Sequence, residues 1–171
     1  MTAVSQRRIA ALTHANARRT REIDGWRGEL ATRFGERSTL LERRAMKREQ
    51  IEGEERTIAG QQARIDRMTS DGDGFSIESF TQCVRYIGVV SDRKRGMVAE
   101  LEKLDGELER AESAISTLQR QIATATQKIE QCDERIAAIR RALDLAREDA
   151  QDEENEEMAT ARFIRRRALQ G

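Results

Sequence analysis

From Phe80 to Ala146 the apolar residues recur at alternating steps of three and four, with no break in register. The series runs Phe80, Cys83, Ile87, Val90, Lys94, Met97, Leu101, Leu104, Leu108, Ala111, Ile115, Leu118, Ile122, Ala125, Ile129, Cys132, Ile136, Ile139, Leu143, Ala146, and only Lys94 is polar. Such spacing confines the apolar surface to one narrow stripe of a helix, the pattern of a coiled-coil seam. The same steps carried through the first part give Ile9, Leu12, Asn16, Arg19, Ile23, Trp26, Leu30, Arg33, Arg37, Leu40, Arg44, Lys47, Ile51, Glu54, Ile58, Gln61, Ile65, Met68. Ten of these eighteen are apolar, so the first helix has the poorer seam. Between Leu30 and Ile51 the offset set Phe34, Leu41 and Ala45 fits better, which predicts a stutter there.

The strong break is Thr69-Ser70-Asp71-Gly72-Asp73-Gly74. Gly72 is placed to close the first helix in the left-handed conformation, and Ser76 to cap the second. Phe75 then precedes the cap and Phe80 follows it at the spacing of a hydrophobic staple. A break this short between matched seams predicts an antiparallel hairpin. With the turn centred near residue 73, facing residues sum to roughly 146. The expected fold is all-α: a long two-helix antiparallel coiled-coil hairpin with a C-terminal helical overhang. The whole chain, 1–171, forms a single hairpin, with helix 1 at about 3–69, the turn at 70–75, helix 2 at about 76–147 and the overhang at 148–171. Each arm would be about 100 Å long. Gly25, Gly28, Gly35, Gly53, Gly60, Gly88, Gly96 and Gly106 all fall off the seam, which supports the register.

Composition fits this reading: 36% of residues are charged, 4% are aromatic, and there is no proline to kink a helix. The 31 basic and 31 acidic side chains cancel, so no global field points to nucleic acid or an anionic membrane. No apolar stretch is long enough to span a bilayer, and the first twenty residues lack the apolar core of a signal peptide. A cytoplasmic protein is expected. Of the basic residues 27 are arginine, a bias that points to a GC-rich bacterial genome.

A two-helix rod has no concave interior, so function is expected in what the rod touches. The Asp71-Gly72-Asp73-Gly74 run resembles part of a calcium loop, but its first position would be Thr69 and its twelfth Phe80, so both key carboxylates are missing. It reads as a plain turn. His14 is the only histidine, and there is no phosphate loop ending in Lys-Ser or Lys-Thr. No catalytic, cofactor-binding or metal-ligating residues, and no enzymatic activity, are therefore expected. Cys83 and Cys132 both occupy d positions, 49 residues or about 73 Å apart on one helix, so they cannot bridge within it. They read as buried reduced thiols, with a redox or metal role as the alternative.

Partner-facing candidates are more numerous. Trp26 reads as seam rather than ligand site. Tyr86 lies off the seam near the tip and, with Phe75 and Phe80, forms an aromatic contact candidate. Around Arg33 to Lys47 the first helix offers mostly basic residues, while Met97 to Ala111 opposite stays apolar. Leu101, Leu104 and Leu108 are then left incompletely covered, or covered by arginine stems, which makes them, with Arg37 and Arg44, a candidate lateral surface. In the overhang Glu148 to Glu157 is acidic without interruption by a base. It is a solvated helix, a disordered segment or a docking surface. Arg162, Phe163, Ile164, Arg165, Arg166 and Arg167 follow. The three consecutive arginines could contact phosphates, complement a helix C-terminus or meet a partner protein.

The proline-free hairpin, the tip segment Gly74-Phe75-Ser76-Ile77-Glu78-Ser79-Phe80-Thr81-Gln82-Cys83-Val84-Arg85-Tyr86-Ile87 and the charged overhang resemble the stalk proteins of type III secretion systems. These are flagellar FliJ, injectisome YscO and their plant-pathogen Hrp counterparts. The resemblance covers nearly the whole chain. It implies a stalk similar to the gamma subunit of rotary ATP synthases, cytoplasmic and peripheral to the inner-membrane export apparatus, in a bacterial protein tied to virulence. The end carrying both termini, with Arg162 to Arg167, would enter the pore of a hexameric secretion ATPase. The arms, at Arg37, Arg44, Leu101, Leu104 and Leu108, would contact the cytoplasmic domain of the export gate. Secretion chaperones are further implied partners, and hydrolysis belongs to the ATPase. Two other readings stay open: a homodimeric coiled-coil scaffold in which second helices also pack together, and a holdase-type hairpin chaperone.

Overall fold

The structure, a computed structural model, describes residues 2–70 and 76–168, and of Thr2, Arg167 and Ala168 only the backbone. Among the described residues all but Ser76 are helical and there is no strand. Helix α1 spans Thr2–Ser70 and α2 spans Ile77–Ala168, and the two pack antiparallel against each other. Ser76 caps α2 as its sequence position predicts: its Oγ accepts from the Ser79 N–H at 3.3 Å and its carbonyl from the Phe80 N–H at 3.0 Å. Phe80 is half-buried behind this cap. The turn residues 71–75, including Gly72 and the staple partner Phe75, lie outside the described residues, as do Leu169, Gln170 and Gly171.

The chain divides into two compact units, each holding part of both helices. One is Gly28–Gln119 and the other Met1–Arg27 with Arg120–Gly171. In Gly28–Gln119 the core is Ile65, Cys83, Val90, Leu108, Ala111, Ile115 and Leu118, with Val90 fully buried. Among the described residues five ion pairs cross from α1 to α2 in this unit. Arg37 meets Glu112 at 3.0 Å, Lys47 meets Glu100 at 2.7 Å, Glu54 meets Arg93 at 3.1 Å, Glu55 meets Lys94 at 2.7 Å, and Arg44 meets Asp105. The paired numbers sum to 147 or 149, which fixes the antiparallel register close to the value expected from the turn.

In the other unit the core is Ile23, Ala125, Cys132 and Ile136, with Asn16 buried among them. The Asn16 amide donates to Asp133 Oδ1 at 2.8 Å and to the Ile129 carbonyl at 3.3 Å, and its Oδ1 accepts from Arg19 Nη1 at 3.2 Å. A buried asparagine at a seam position lowers stability relative to an apolar residue but selects one register, because only that alignment satisfies it. Arg19 also reaches the Cys132 sulfur at 3.4 Å. Cys83 and Cys132 are both buried and free.

All eighteen positions of the first series are buried or half-buried, and nineteen of the second are; only Ala146 is exposed. A Cβ placed on any of the eight helical glycines would meet open space, so they do face outward. The expected stutter does not occur. Phe34 is 43% exposed and Leu41 37%, and Ala45 is exposed as well, while Arg33, Arg37, Arg44 and Lys47 hold the seam. Long cationic side chains make this possible, since their aliphatic stems lie along the apolar stripe and their charged ends reach carboxylates at its edge. A shift to the offset set would give up the pairs to Glu112, Asp105 and Glu100.

Candidate partner interface

Past Leu143, α2 runs on without α1. Every described side chain from 144 to 166 is exposed, including Phe163 at 66% and Ile164 at 62%. No glycine or proline interrupts 107–170, so nothing in the sequence stops the helix where its cover ends. The acids of 148–157 come first, and Arg162, Arg165 and Arg166 stand in the last turns, where cations complement the helix dipole. A shallow groove on this segment is lined by Glu153, Glu156, Glu157, Thr160, Ala161 and Ile164. Arg162, Phe163, Ile164, Arg165 and Arg166 are therefore together on one open helix end; the Arg167 side chain lies outside the described residues.

The lateral candidates are arranged differently. Leu108 is buried at 9% exposure, whereas Leu101 and Leu104 are half-buried. Arg37 is held by a hydrogen-bonded ion pair to Glu112. Arg44 lies against Asp105, but its Nε–H makes no hydrogen bond, so that contact is coulombic. The Lys47 ammonium hydrogen-bonds Glu100 and holds its carboxyl below the usual glutamate range. Beside them a second shallow groove mixes the cations Arg43, Lys47 and Lys103 with the acids Glu100 and Glu107, next to Met46, Gln50 and Leu104. Met46, 55% exposed, is a surface residue that the seam pattern alone does not single out.

Near the start of α2, Tyr86 is exposed as expected. Ile77, Val84 and Val89 are exposed with it, so the apolar surface is wider than the aromatic residues alone indicate. The signal was available: five of the seven residues in Val84-Arg85-Tyr86-Ile87-Gly88-Val89-Val90 are apolar or aromatic, and a two-helix seam can take only Ile87 and Val90.

A pair of antiparallel helices with one uncovered helical end is an arrangement shared by unrelated proteins, so the sequence family decides between them. The model of one family, described as bacterial type III secretion protein (HrpB7), matches residues 7–163. The chain belongs to the HrpB7 family. No curated protein and no solved structure matches it. The HrpB7 match takes in both covered arms and the acidic part of the overhang, and it stops before Arg165 and Arg166. Among the described residues no helix is long and apolar enough to cross a membrane.

Proposed function

We propose that this HrpB7-family chain is the central stalk of a type III secretion ATPase complex, linking the hexameric ATPase to the export gate and assisting protein export. The observation that carries this reading is the helical, fully exposed and charge-sorted end of α2 beyond the reach of α1. A single helix carrying blocks of opposite charge and a small apolar patch at Phe163 and Ile164 suits a narrow pore lined by charges of both signs. There the charges steer docking and set orientation more than they add affinity. On this reading the chain hydrolyses nothing itself, works in the cytoplasm at the inner-membrane export apparatus, and meets secretion chaperones there.

The gate contact is assigned to the flank carrying Arg37, Arg44, Leu101, Leu104 and Leu108, and the tip at Phe75, Phe80 and Tyr86 is a further contact. Arg37 and Arg44 already pair with Glu112 and Asp105, so glutamine is the better replacement for testing the gate, since glutamate would repel those carboxylates. The test of the stalk reading is capture of the cognate hexameric ATPase by the purified chain. The full chain is expected to retain the ATPase and a chain ending at residue 147 to lose it. Equal capture by both would place the contact away from the overhang.

A further inference from the structure

Between residues 148 and 157 the overhang carries seven acids and no base; from 158 to 171 it carries four arginines and no acid. Charges on one helix neutralise each other at spacings of three or four. Glu157 and Arg162, the closest pair of opposite sign, are five apart, so this helix cannot neutralise itself. Among the described residues 148–166 none takes part in an ion pair, and all are exposed. Two opposite charge blocks therefore follow one another along the helix, and among the described residues neither is paired within the chain.

A second copy of the same helix supplies both counter-charges at once, but in one orientation only. Laid antiparallel, it sets each acidic block against the other copy's arginines; laid parallel, it sets like against like. The three-four steps continued past Ala146 fall at Ala150, Glu153, Glu157, Thr160 and Ile164. Reversal about a centre between Met158 and Ala159 carries Glu153 onto Ile164 and Glu157 onto Thr160, so the same narrow face meets itself. It also brings Asp152 opposite Arg165 and Glu154 close to Arg162. The groove lined by Glu153, Glu156, Glu157, Thr160, Ala161 and Ile164 takes in four positions of this face, 153, 157, 160 and 164. The length agrees too, because the pairing uses 148–168 and stops where each copy's own α1 covers α2.

We propose that two copies of this chain associate through residues 148–168 of α2, antiparallel, acidic block against arginine block. The inference does not depend on the stalk reading, but it uses the same helix, so any other occupant of the overhang has to displace the second copy. With alanines and Ile164 as its apolar content, the contact falls among transient interfaces, below about 1,200 Å² in total. Exposed charges hold it, so salt weakens it as the screening length shrinks from about 10 Å at 0.1 M to about 3 Å at 1 M.

Sedimentation equilibrium of the full chain tests this over a range of concentrations in low and high salt. A concentration-dependent dimer is expected in low salt, at least tenfold weaker in high salt. A monomer throughout, or a dimer indifferent to salt or to removal of 148–171, overturns the proposal. Two variants keep the test independent of misfolding. One carries Arg162→Glu, Arg165→Glu, Arg166→Glu and Arg167→Glu; the other carries Glu153→Arg, Glu154→Arg, Glu156→Arg and Glu157→Arg. Each alone should be monomeric, and an equal mixture should form a one-to-one heterodimer; a mixture that stays monomeric contradicts the proposal. Orientation is read in the otherwise native chain from spin labels on Thr160→Cys and Ala150→Cys. Labels at 160 should couple strongly, whereas labels at 150 should sit roughly 25 Å apart along the axis. Equal coupling at both positions indicates a parallel pair and overturns the assignment.

Discussion

Residues 80–143 and 144–166 belong to one continuous helix, yet α1 lies along the first stretch, whereas every described side chain of the second is exposed. In the covered stretch the apolar residues fall into line and the charges beside them meet opposite charges on α1, as Arg93 meets Glu54 and Asp105 meets Arg44. In the free stretch the apolar line thins out and the charges sort into an acidic and a basic block. The free stretch keeps its helix through residues of good propensity, alanine, glutamate, methionine and arginine; among its described residues the one ion pair is Asp144 with Arg147 at its start, and none follows in 148–166. Charge order there serves no purpose inside the chain, whereas in the covered stretch it is part of the fold.

The comparison breaks if stability responds equally in both stretches. Val90→Asp places a carboxylate at a site with 0% exposure, in the middle of the apolar seam. It should destabilise by about 3 kcal/mol or more in chemical denaturation. Ile164→Asp in the overhang should change stability by no more than about 0.5 kcal/mol. A large loss from the second change, measured at a concentration where the chain is monomeric, would mean that the overhang packs against its own chain.

The next effect is smaller and opposite in sign. Asn16→Leu removes a buried polar group whose contacts are to Asp133, Ile129 and Arg19. A rise in stability of about 1 kcal/mol is expected, together with a loss of register specificity, visible as extra cross-linking products between cysteines placed on α1 and α2. Lower stability with a single product would show that the network contributes more to stability than to alignment.

The smallest effect sharpens the role of the cations in the α1 seam. Glu100 should titrate below an ordinary glutamate by NMR, because Lys47 hydrogen-bonds its carboxylate and attracts it. A lowered folded-state pKa means that the pair's contribution is present above the ordinary glutamate range and is lost as pH falls through the lowered value. Lys47→Gln should return Glu100 to the ordinary range. An unchanged titration would mean that the ammonium does not sit over that carboxylate.

Most of the fold was legible because a three-four period held from Phe80 to Leu143 leaves few alternatives, and because Ser76 caps where a cap was needed. The middle of α1 was misread for a physical reason. Hydrophobic pattern counts arginine as polar throughout, whereas Arg37 and Arg44 bury their stems in the seam and keep only their ends at its edge. Phe34, Leu41 and Ala45 therefore looked like the better line although they face outward. The Asn16 network was hidden because Asp133 is 117 residues away and becomes a partner only once the helices are aligned. The overhang was legible from arithmetic alone: two antiparallel helices of unequal length leave the longer one bare.

The stalk reading rests on that bare end, and ATP turnover by the cognate hexameric ATPase measures it most directly. The full chain is expected to stimulate turnover. A chain lacking 148–171 should keep its helix content per residue and lose the stimulation, and Arg165→Glu, Arg166→Glu and Arg167→Glu together should lower it by less. Stimulation by the truncated chain equal to that by the full chain would contradict the account and leave the overhang without a part in driving the ATPase.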